Sequence, residues 1–302
     1  MRHRALYTFA TRDGFLTGVL PLVHVRSRLF GNSLISNAFC VYGGPIATDD
    51  ESYGSLVTHA ESELERLQAN HLEFRHRRQS SLGWRCRSDL HATFRRKMDP
   101  DPEINLKMVP RKQRAVIRQS LRNDLEARKE QDVAHFYDIY SESVHNLGTP
   151  VFSRRYFEAL LAVFNSCSEI ITIFDRGKPL ASVLTFFFRD EVIPYYGGGV
   201  AGARPRAAYD FMYWTVMSRA AASGYLLFDF GRSKLGTGSF NFKKNWGFEP
   251  EALIYEFKLR GKGAVPDLNP LNPKYRPYIE LWKRLPLPVT RILGPRIARG
   301  LP

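Results

Sequence analysis

The residues best suited to chemistry lie in one stretch, Tyr225 to Phe257, YLLFDFGRSKLGTGSFNFKKNWGFEPEALIYEF. Asp229 sits near the end of an apolar run, Tyr225 to Phe230, with the length and aromatic content of a buried strand. Then come Gly231, Gly236 and Gly238, interleaved with Ser233, Thr237 and Ser239, and the cations Arg232, Lys234, Lys243 and Lys244. Glycines let backbone amides approach a ligand closely, and the cations favour an anionic or polarised one. A phosphate-cradling P-loop is excluded: Gly231 to Gly236 has its first spacing, but Thr237-Gly238 follows where Lys and Ser/Thr are required. Taken alone, the loop also fits a glycine-rich turn with solvated charges. Phe242, Trp246 and Phe248 re-enter a core before a further strand, Ala252 to Leu259.

The elements that position this loop form a pattern that occurs twice. Leu6 to Ala10 and Phe15 to Val25 are apolar runs joined by Asp13-Gly14, a hairpin signal. A basic loop, Arg26 to Phe30, leads to a strand from Leu34 that ends in Tyr42-Gly43-Gly44-Pro45. Asp49-Asp50 caps a helix to about Ala69 with Leu56, Ala60, Leu64 and Leu67 on one face, and His71 to His76 resumes as a strand. Later, Asp175-Arg176-Gly177 joins Glu169–Phe174 to Pro179–Phe188, and a third strand ends in Tyr196-Gly197-Gly198-Gly199. A helix from about Arg206 to Ser223 precedes the Tyr225 strand. Tyr42 to Leu72 and Tyr196 to Leu226 are both 30 residues apart (72−42 and 226−196), which implies two copies of one hairpin–strand–helix–strand unit.

Between the copies, Lys107 to Arg122 reads as a helix with Arg114, Arg118 and Arg122 on one face and Ile117, Leu121 and Leu125 beside it. The arginine stripe is either a solvated face or a ridge for phosphates. His135–His145 and Arg154–Phe164 read as helices separated by Gly148-Thr149-Pro150. After Leu259, Gly261, Gly263 and the prolines at 266, 270, 273 and 277 make an extended linker, followed by short basic amphipathic segments, Ile279–Arg284 and Thr290–Arg299. This tail packs on the body, binds a partner or rests on anionic lipid. The boundaries are a first unit at 1–105, a helical connector at 106–168, a second unit at 169–260 and a tail at 261–302. The fold class is α/β (α+β), with two tandem mixed-sheet units, flanking helices and the extended tail.

With 302 residues and 44% hydrophobic content the chain can bury a substantial core. A formal charge of +14 favours acidic partners: nucleic acid, a phosphorylated substrate or an anionic membrane surface. Cys40, Cys86 and Cys167 offer neither a disulfide framework nor a metal knuckle, which fits a reducing cytoplasm. No stretch approaches a membrane span, and no apolar leader opens the chain. The expected place is therefore cytoplasmic, with peripheral contact at the inner face of the membrane as an option. The histidines at 24, 59, 71, 76, 91, 135 and 145 form no H-x-x-x-H pair, so no metal is expected, and a G-x-S-x-G elbow is absent.

The assembled motifs resemble the FemAB-like proteins: Phe228-Asp229-Phe230-Gly231-Arg232-Ser233, Gly236-Thr237-Gly238, Phe242-Lys243-Lys244-Asn245-Trp246-Gly247, Tyr42-Gly43-Gly44-Pro45 and Leu147-Gly148-Thr149-Pro150. More narrowly they are similar to the branch associated with PEP-CTERM/exosortase export and exopolysaccharide. The likeness extends over most of the chain. It implies two GNAT-like domains, in agreement with the duplication, and an aminoacyl- or acyltransferase acting on an amine-bearing cell-envelope or exopolysaccharide precursor. The implied donor is aminoacyl-tRNA or acyl-CoA, with no permanently bound cofactor, and tRNA becomes a candidate partner. The family's F-K-x-x-[FW]-G block matches Phe242, Lys243, Trp246 and Gly247, and its lysine stabilises the acyl-transfer transition state. The G-P turn that lines the precursor site matches Gly44 and Pro45.

Departures from the family are equally specific. Relatives carry residues ahead of the strand near Leu6, so either the start is misassigned or the acceptor half is incomplete. The long helical arm of some Fem enzymes is absent. The [QR]-x-x-G-x-[GA] loop of acetyl-CoA enzymes has no match in Gly197–Arg206, and Arg232–Gly238 is one residue too long.

Acyl transfer to an amine requires removal of a proton and stabilisation of an oxyanion. Lys243, facing a pocket, and the amides of Gly236–Ser239 are expected to meet the second need. Asp229 either accepts the amine proton or forms an ion pair with Arg232. Arg232, Ser233, Gly236, Thr237, Gly238, Phe242, Trp246, Tyr42, Gly44, Pro45 and Tyr196 complete the expected binding residues; Tyr42 and Tyr196 occupy equivalent strand ends and either contact substrate or belong to the core. The alternatives are an acetyl-CoA-dependent N-acetyltransferase and a non-catalytic module binding RNA or anionic glycan through Arg111–Arg122 and Arg75–Arg78.

Overall fold

The computed structural model describes residues 3–27, 30–261, 263–265 and 273–301. They form two compact units, one of Met1–His91, Ala252–Asn272 and Arg296–Pro302, the other of Ala92–Glu251 and Pro273–Pro295.

In the first unit β1 (Arg4–Arg12) and β2 (Phe15–Ser27) pair antiparallel. Asp13 and Gly14 between them both have positive φ, 51° and 81°, the geometry that matches strand twist in a tight hairpin. β3 (Gly31–Ser36) lies antiparallel to β2, and β4 (Ile46–Ala47) pairs with Gly18 and Val19 of β2 on the edge opposite β1. α1 (Asp50–Arg66) starts where the Asp49 carboxylate accepts the Ser52 N–H at 2.9 Å. Its buried stripe, Leu56, Val57, Ala60 and Leu64, covers Leu20, Leu22, Leu34, Leu72 and Phe74 of the sheet. β5 (His71–His76) pairs parallel with β3, and β6 (Arg85–Arg87) is at the sheet's far edge.

The second unit opens with β7 (His91–Lys97), α2 (Pro102–Met108) and α3 (Arg111–Ser120). The single helix expected over 107–122 is broken at Val109-Pro110, because proline cannot donate into the helix and disfavours α geometry in the residue before it. Ile117 is buried as expected, but Leu121 lies past the helix and is exposed. β8 (Leu125–Glu130), α4 (Ala134–Asn146) and α5 (Arg154–Val163) follow. β9 (Ser168–Asp175), β10 (Lys178–Phe188) and β11 (Glu191–Gly199) form a meander, with Arg176 and Gly177 again at positive φ. α6 (Ala208–Ala222) returns the chain to β12 (Leu227–Asp229), parallel to β11. β13 (Ser233–Lys234), α7 (Gly238–Asn245) and β14 (Pro250–Ala252) follow, then β15 (Ile254–Leu259) pairs with β5 and β6 of the first unit's sheet. α8 (Arg276–Arg284) and α9 (Leu287–Ala298) end the chain.

The duplication is real in topology. β1-β2-β3-α1-β5 and β9-β10-β11-α6-β12 share element order and pairing sense: antiparallel, antiparallel, then parallel across the helix. The units nevertheless divide the chain differently from the sequence boundaries. β7 joins the second sheet and β15 the first, and the expected connector at 106–168 contributes β8 and three helices to the second unit. Hydrophobic alternation identifies a strand without naming its partner. The strand expected to run from Leu34 to Tyr42 ends at Ser36, so Tyr42–Pro45 is a loop rather than a strand end. Of the expected extended tail, Pro266 and Pro270 lie outside the described residues, and from Pro273 onward the chain is helical.

Candidate active site

The second unit's sheet runs β13-β7-β12-β11-β10-β9-β8. The parallel strands β11 and β12 pair at only two positions, Glu191 with Leu227 and Val192 with Phe228. Beyond them β11 continues on β10 to Gly199, while the chain leaving β12 leans the other way, the Phe230 N–H bonding the Phe94 carbonyl of β7 at 2.8 Å. A sheet that opens between two parallel strands exposes unpaired backbone along both walls, and ligands of open α/β sheets enter at the carboxyl ends of such strands. Past the last paired position the chain runs through Gly197 to Gly199 on the β11 side and through Phe230 to Ser233 on the β12 side. Tyr213 of α6 touches both: an added Cβ on Gly197 would meet its hydroxyl at 2.7 Å, and its ring lies 5.0 Å from Phe230 and 5.6 Å from Phe242. Glycine is required there so that tyrosine rings can lie on the strand; Gly199 makes the same room for Tyr209, whose hydroxyl donates to the Gly199 carbonyl at 3.2 Å.

Register explains Asp229. It faces Arg95 directly across the antiparallel β12–β7 pair. Its side chain is fully buried, with Oδ2 3.1 Å from Arg95 Nε and Oδ1 accepting from Thr93 Oγ1 at 3.2 Å and from the Gly231 N–H at 2.7 Å. Arg95 also meets Glu191 of β11. The ion pair of Asp229 is thus with Arg95 across the sheet, whereas the sequence pointed to Arg232. A carboxylate so enclosed is an anchor for the loop and not a base facing an amine.

Lys243 is buried, and its Nζ donates to three successive carbonyls, Phe230 at 2.7 Å, Gly231 at 3.0 Å and Arg232 at 3.2 Å. Burial pushes its pKa down to about 7, with Asp229 drawing it up and Arg232 pushing it further down. The expectation was a charge facing a pocket; the ammonium instead fills a concave turn of backbone at the wall of the opening. It fixes that wall and holds positive charge directly behind it.

Two further contacts hold the same block. Trp246 Nε1 donates to Asp210 Oδ1 at 3.0 Å, and Gln113 Nε2 donates to the same oxygen at 2.5 Å. Burial raises the Asp210 pKa to about 6, against the pull of both donors. Arg96 Nη1 donates to the Trp246 carbonyl at 3.2 Å, capping the C-terminal end of α7, and its guanidinium stacks 4.2 Å above Phe248. Asp210, Arg95, Arg96 and Tyr213 are the residues sequence reasoning missed.

The other expected residues separate by role. Thr237 is the N-cap of α7, accepting from the Phe240 N–H at 3.4 Å while its hydroxyl donates to the Lys234 carbonyl at 2.7 Å. Gly231 and Gly236 take positive φ, 68° and 75°, and Gly236 and Gly238 are exposed. Arg232 is half-buried, and Ser233 is buried with a hydroxyl that bonds no described residue. Phe242 packs on the core, and Trp246 is within it. Tyr196 belongs to an aromatic cluster on α4 and α5, its hydroxyl 3.0 Å from that of Tyr156 and its pKa raised by burial and by Tyr156.

Tyr42, Gly44 and Pro45 are in the first unit. The Tyr42 carbonyl accepts from Asn37 Nδ2 at 3.0 Å, the Gly43 N–H bonds the Arg75 carbonyl at 2.8 Å, and Gly44 (φ 104°) lies against the His76 ring. Beside this loop is a buried ionic group that sequence reasoning did not find. Arg75 Nε is 2.7 Å from Glu73 Oε1, Arg75 Nη1 donates to the Cys40 carbonyl at 3.1 Å, and His76 Nε2 is 3.1 Å from Glu256 Oε2. Burial works against the Glu73 charge, yet Arg75 and His71 hold its pKa down to about 2. Arg75 is thus no part of a basic surface. A separate groove of about 470 Å³, lined by Glu61, Leu82, Trp84, Arg85 and Phe257, holds none of the expected residues. Among the described residues no three His, Cys, Asp or Glu side chains gather as metal ligands, and no helix is long and apolar enough to cross a membrane.

Residues 111–244, all within the second unit, match the family model of the acetyltransferase (GNAT) domain. Comparison with the curated proteins found no match. Among solved structures, FemX is similar over 92% of this chain and 90% of its own, at 13% identity and a TM-score of 0.65. A tandem GNAT protein from the clavulanic acid biosynthesis pathway is similar over 85% and 83%, at 11% identity and a TM-score of 0.53. At such identities the likeness is one of fold. The chain has a FemAB-like tandem GNAT fold, and its match to an acetyltransferase domain supports an enzyme of the N-acyltransferase kind.

Proposed function

We propose that the protein transfers an aminoacyl or acyl group from an activated donor to an amine on a cell-envelope or exopolysaccharide precursor, in the manner of the PEP-CTERM/exosortase-associated FemAB-like branch. The observation that carries this reading is the opened β11–β12 pair inside the acetyltransferase domain, with Lys243 holding one wall. The amine nitrogen attacks the donor's carbonyl carbon, and a C–N bond forms. The ester bond of aminoacyl-tRNA or the thioester bond of acyl-CoA then breaks, the leaving hydroxyl or thiol taking a proton as the nitrogen loses one. The positive charge of Lys243 behind the Phe230–Arg232 turn favours the oxyanion that develops meanwhile. Asp229 and Arg95 keep that turn in place, the Ser233 hydroxyl is a donor awaiting an acceptor, and Tyr213 reaches the opening between the strands. No side chain caps the start of α6, whose first amides and the exposed Arg204 suit the phosphate of either donor.

Incubating the purified chain with acetyl-CoA or with aminoacyl-tRNA, and with amino-sugar or peptide amines, tests the reading by mass spectrometry of the product. Transfer from aminoacyl-tRNA supports the Fem-type reading, and transfer from acetyl-CoA alone supports the second reading, an N-acetyltransferase. Absence of transfer from either donor, with the fold intact, would refute both.

A further inference from the structure

The end of the chain presents a surface for which acyl transfer has no use. One side of α8 and α9 is seated on α4 and the turn after it. Trp282 and Thr290 are buried, His145 Nε2 is 3.0 Å from the Leu285 carbonyl, Arg291 Nε donates to Ser141 Oγ at 2.9 Å, and an added Cβ on Gly294 would meet Val151 at 3.0 Å. The other side is apolar and uncovered. In α9, Val289, Ile292, Leu293 and Arg296 follow at i, i+3, i+4 and i+7, which is one helix face, and Ile292 is 66% exposed. In α8, Tyr278 (70% exposed) and Leu281 (61%) lead at three-residue steps to Arg284. From Pro273 to Ala298 the cations Lys274, Arg276, Lys283, Arg284, Arg291 and Arg296 stand against one carboxylate, Glu280.

Each apolar stripe thus ends in an arginine, and the surrounding charge is predominantly positive, with Lys283 paired to Glu280 and Arg291 to Asp138. At a lipid interface the Leu, Ile and Tyr tips enter the acyl boundary while arginine stems reach back to anionic headgroups. A nucleic acid would engage the cations and leave Leu281 and Ile292 in water. We propose that the outer side of α8 and α9 docks the enzyme on an anionic phospholipid bilayer, whichever acyl donor it uses.

Co-sedimentation of the full chain with phosphatidylcholine vesicles, with or without phosphatidylglycerol, tests this without any turnover. The expected result is binding to the phosphatidylglycerol vesicles alone, weakened by salt. Arg284→Ala or Arg296→Ala should each lower partitioning about fivefold, the effect of one cation at an anionic surface. Leu281→Glu with Ile292→Glu should abolish binding and leave thermal unfolding unchanged, since both side chains are exposed. Failure to bind phosphatidylglycerol vesicles would overturn the proposal. So would binding that survives the double glutamate variant, which would assign contact to another surface, or salt-sensitive binding to RNA in place of vesicles.

Discussion

Lys243→Met is the most informative single perturbation, because it keeps the aliphatic stem and removes the ammonium from the backbone turn it fills. In the folded chain burial lowers the Lys243 pKa from 10.5 to about 7. At ~1.36 kcal/mol per unit, such a shift amounts to about 5 kcal/mol of penalty on the protonated folded state. The penalty is fully present below pH 7, where both folded and unfolded chains hold the proton. It is relieved as pH rises from about 7 towards the unfolded value near 10.5, because there the unfolded chain binds more protons than the folded one. Wild-type stability measured against Lys243→Met should therefore increase with pH, by at most about 3 kcal/mol between pH 7 and pH 9. Denaturant unfolding of both proteins across that range reads the difference directly. Loss of the three donors has its own cost, which does not depend on pH and offsets the whole curve: the carbonyls of residues 230 to 232 lose their partner, at roughly 1–3 kcal/mol for each that stays buried. A stability difference that is flat from pH 6 to pH 9 would refute the assignment of a depressed pKa to Lys243. Kinetics complete the test. If the ammonium acts by shaping the wall of the opening, Lys243→Met disturbs both KM for the donor and kcat; if it touches only the transition state, kcat falls alone.

Arg95→Met strands the fully buried Asp229 without its cross-strand cation and should cost about 3–5 kcal/mol by thermal or denaturant unfolding, more than Arg232→Met. Asp210→Ala removes the acceptor of the Trp246 and Gln113 donors and should destabilise by roughly 1–3 kcal/mol, whereas Asp210→Asn retains an acceptor oxygen. Because the folded Asp210 pKa is raised to about 6, wild-type stability should fall as pH rises from about 4 through 6, and Asp210→Asn should flatten that slope. Gly44→Ala forces a side chain into positive φ and against the His76 ring, so its melting temperature should drop, while Gly54→Ala, in open space within α1, should not lower it.

What could be read in the sequence was local. Asp13-Gly14 and Arg176-Gly177 announced two hairpins, and the equal spacing of the Tyr-Gly-Gly turns from the strands behind them announced the duplication, because hairpin turns and amphipathic helices are specified within a few residues. What escaped was every partner chosen across the sheet. Arg232 is the nearest cation to Asp229 along the chain, yet strand register presents Arg95, 134 residues earlier (229−95), and Asp210 meets Trp246 in the same long-range way. Register depends on which strands become neighbours, and that β7 joins the second unit's sheet and β15 the first unit's could not be inferred from alternation alone.

The placement of Lys243 did leave a signal that charge counting overlooked. Phe240 and Lys243 of α7 and Trp246 at its C-cap are spaced by three, so the lysine lies on the same stripe as two aromatics that pack into the core. A lysine on a buried stripe with no acidic residue in its helix must be paid for by acceptors elsewhere, and one source of backbone carbonyls to spare is the place where a strand stops pairing. That is the condition at Phe230 to Arg232, where β12 has parted from β11 and the chain has yet to enter α7. The same unpaired backbone that makes the opening able to receive a ligand therefore also explains why the signature lysine stands behind it, and a variant that restored pairing there would lose both features together.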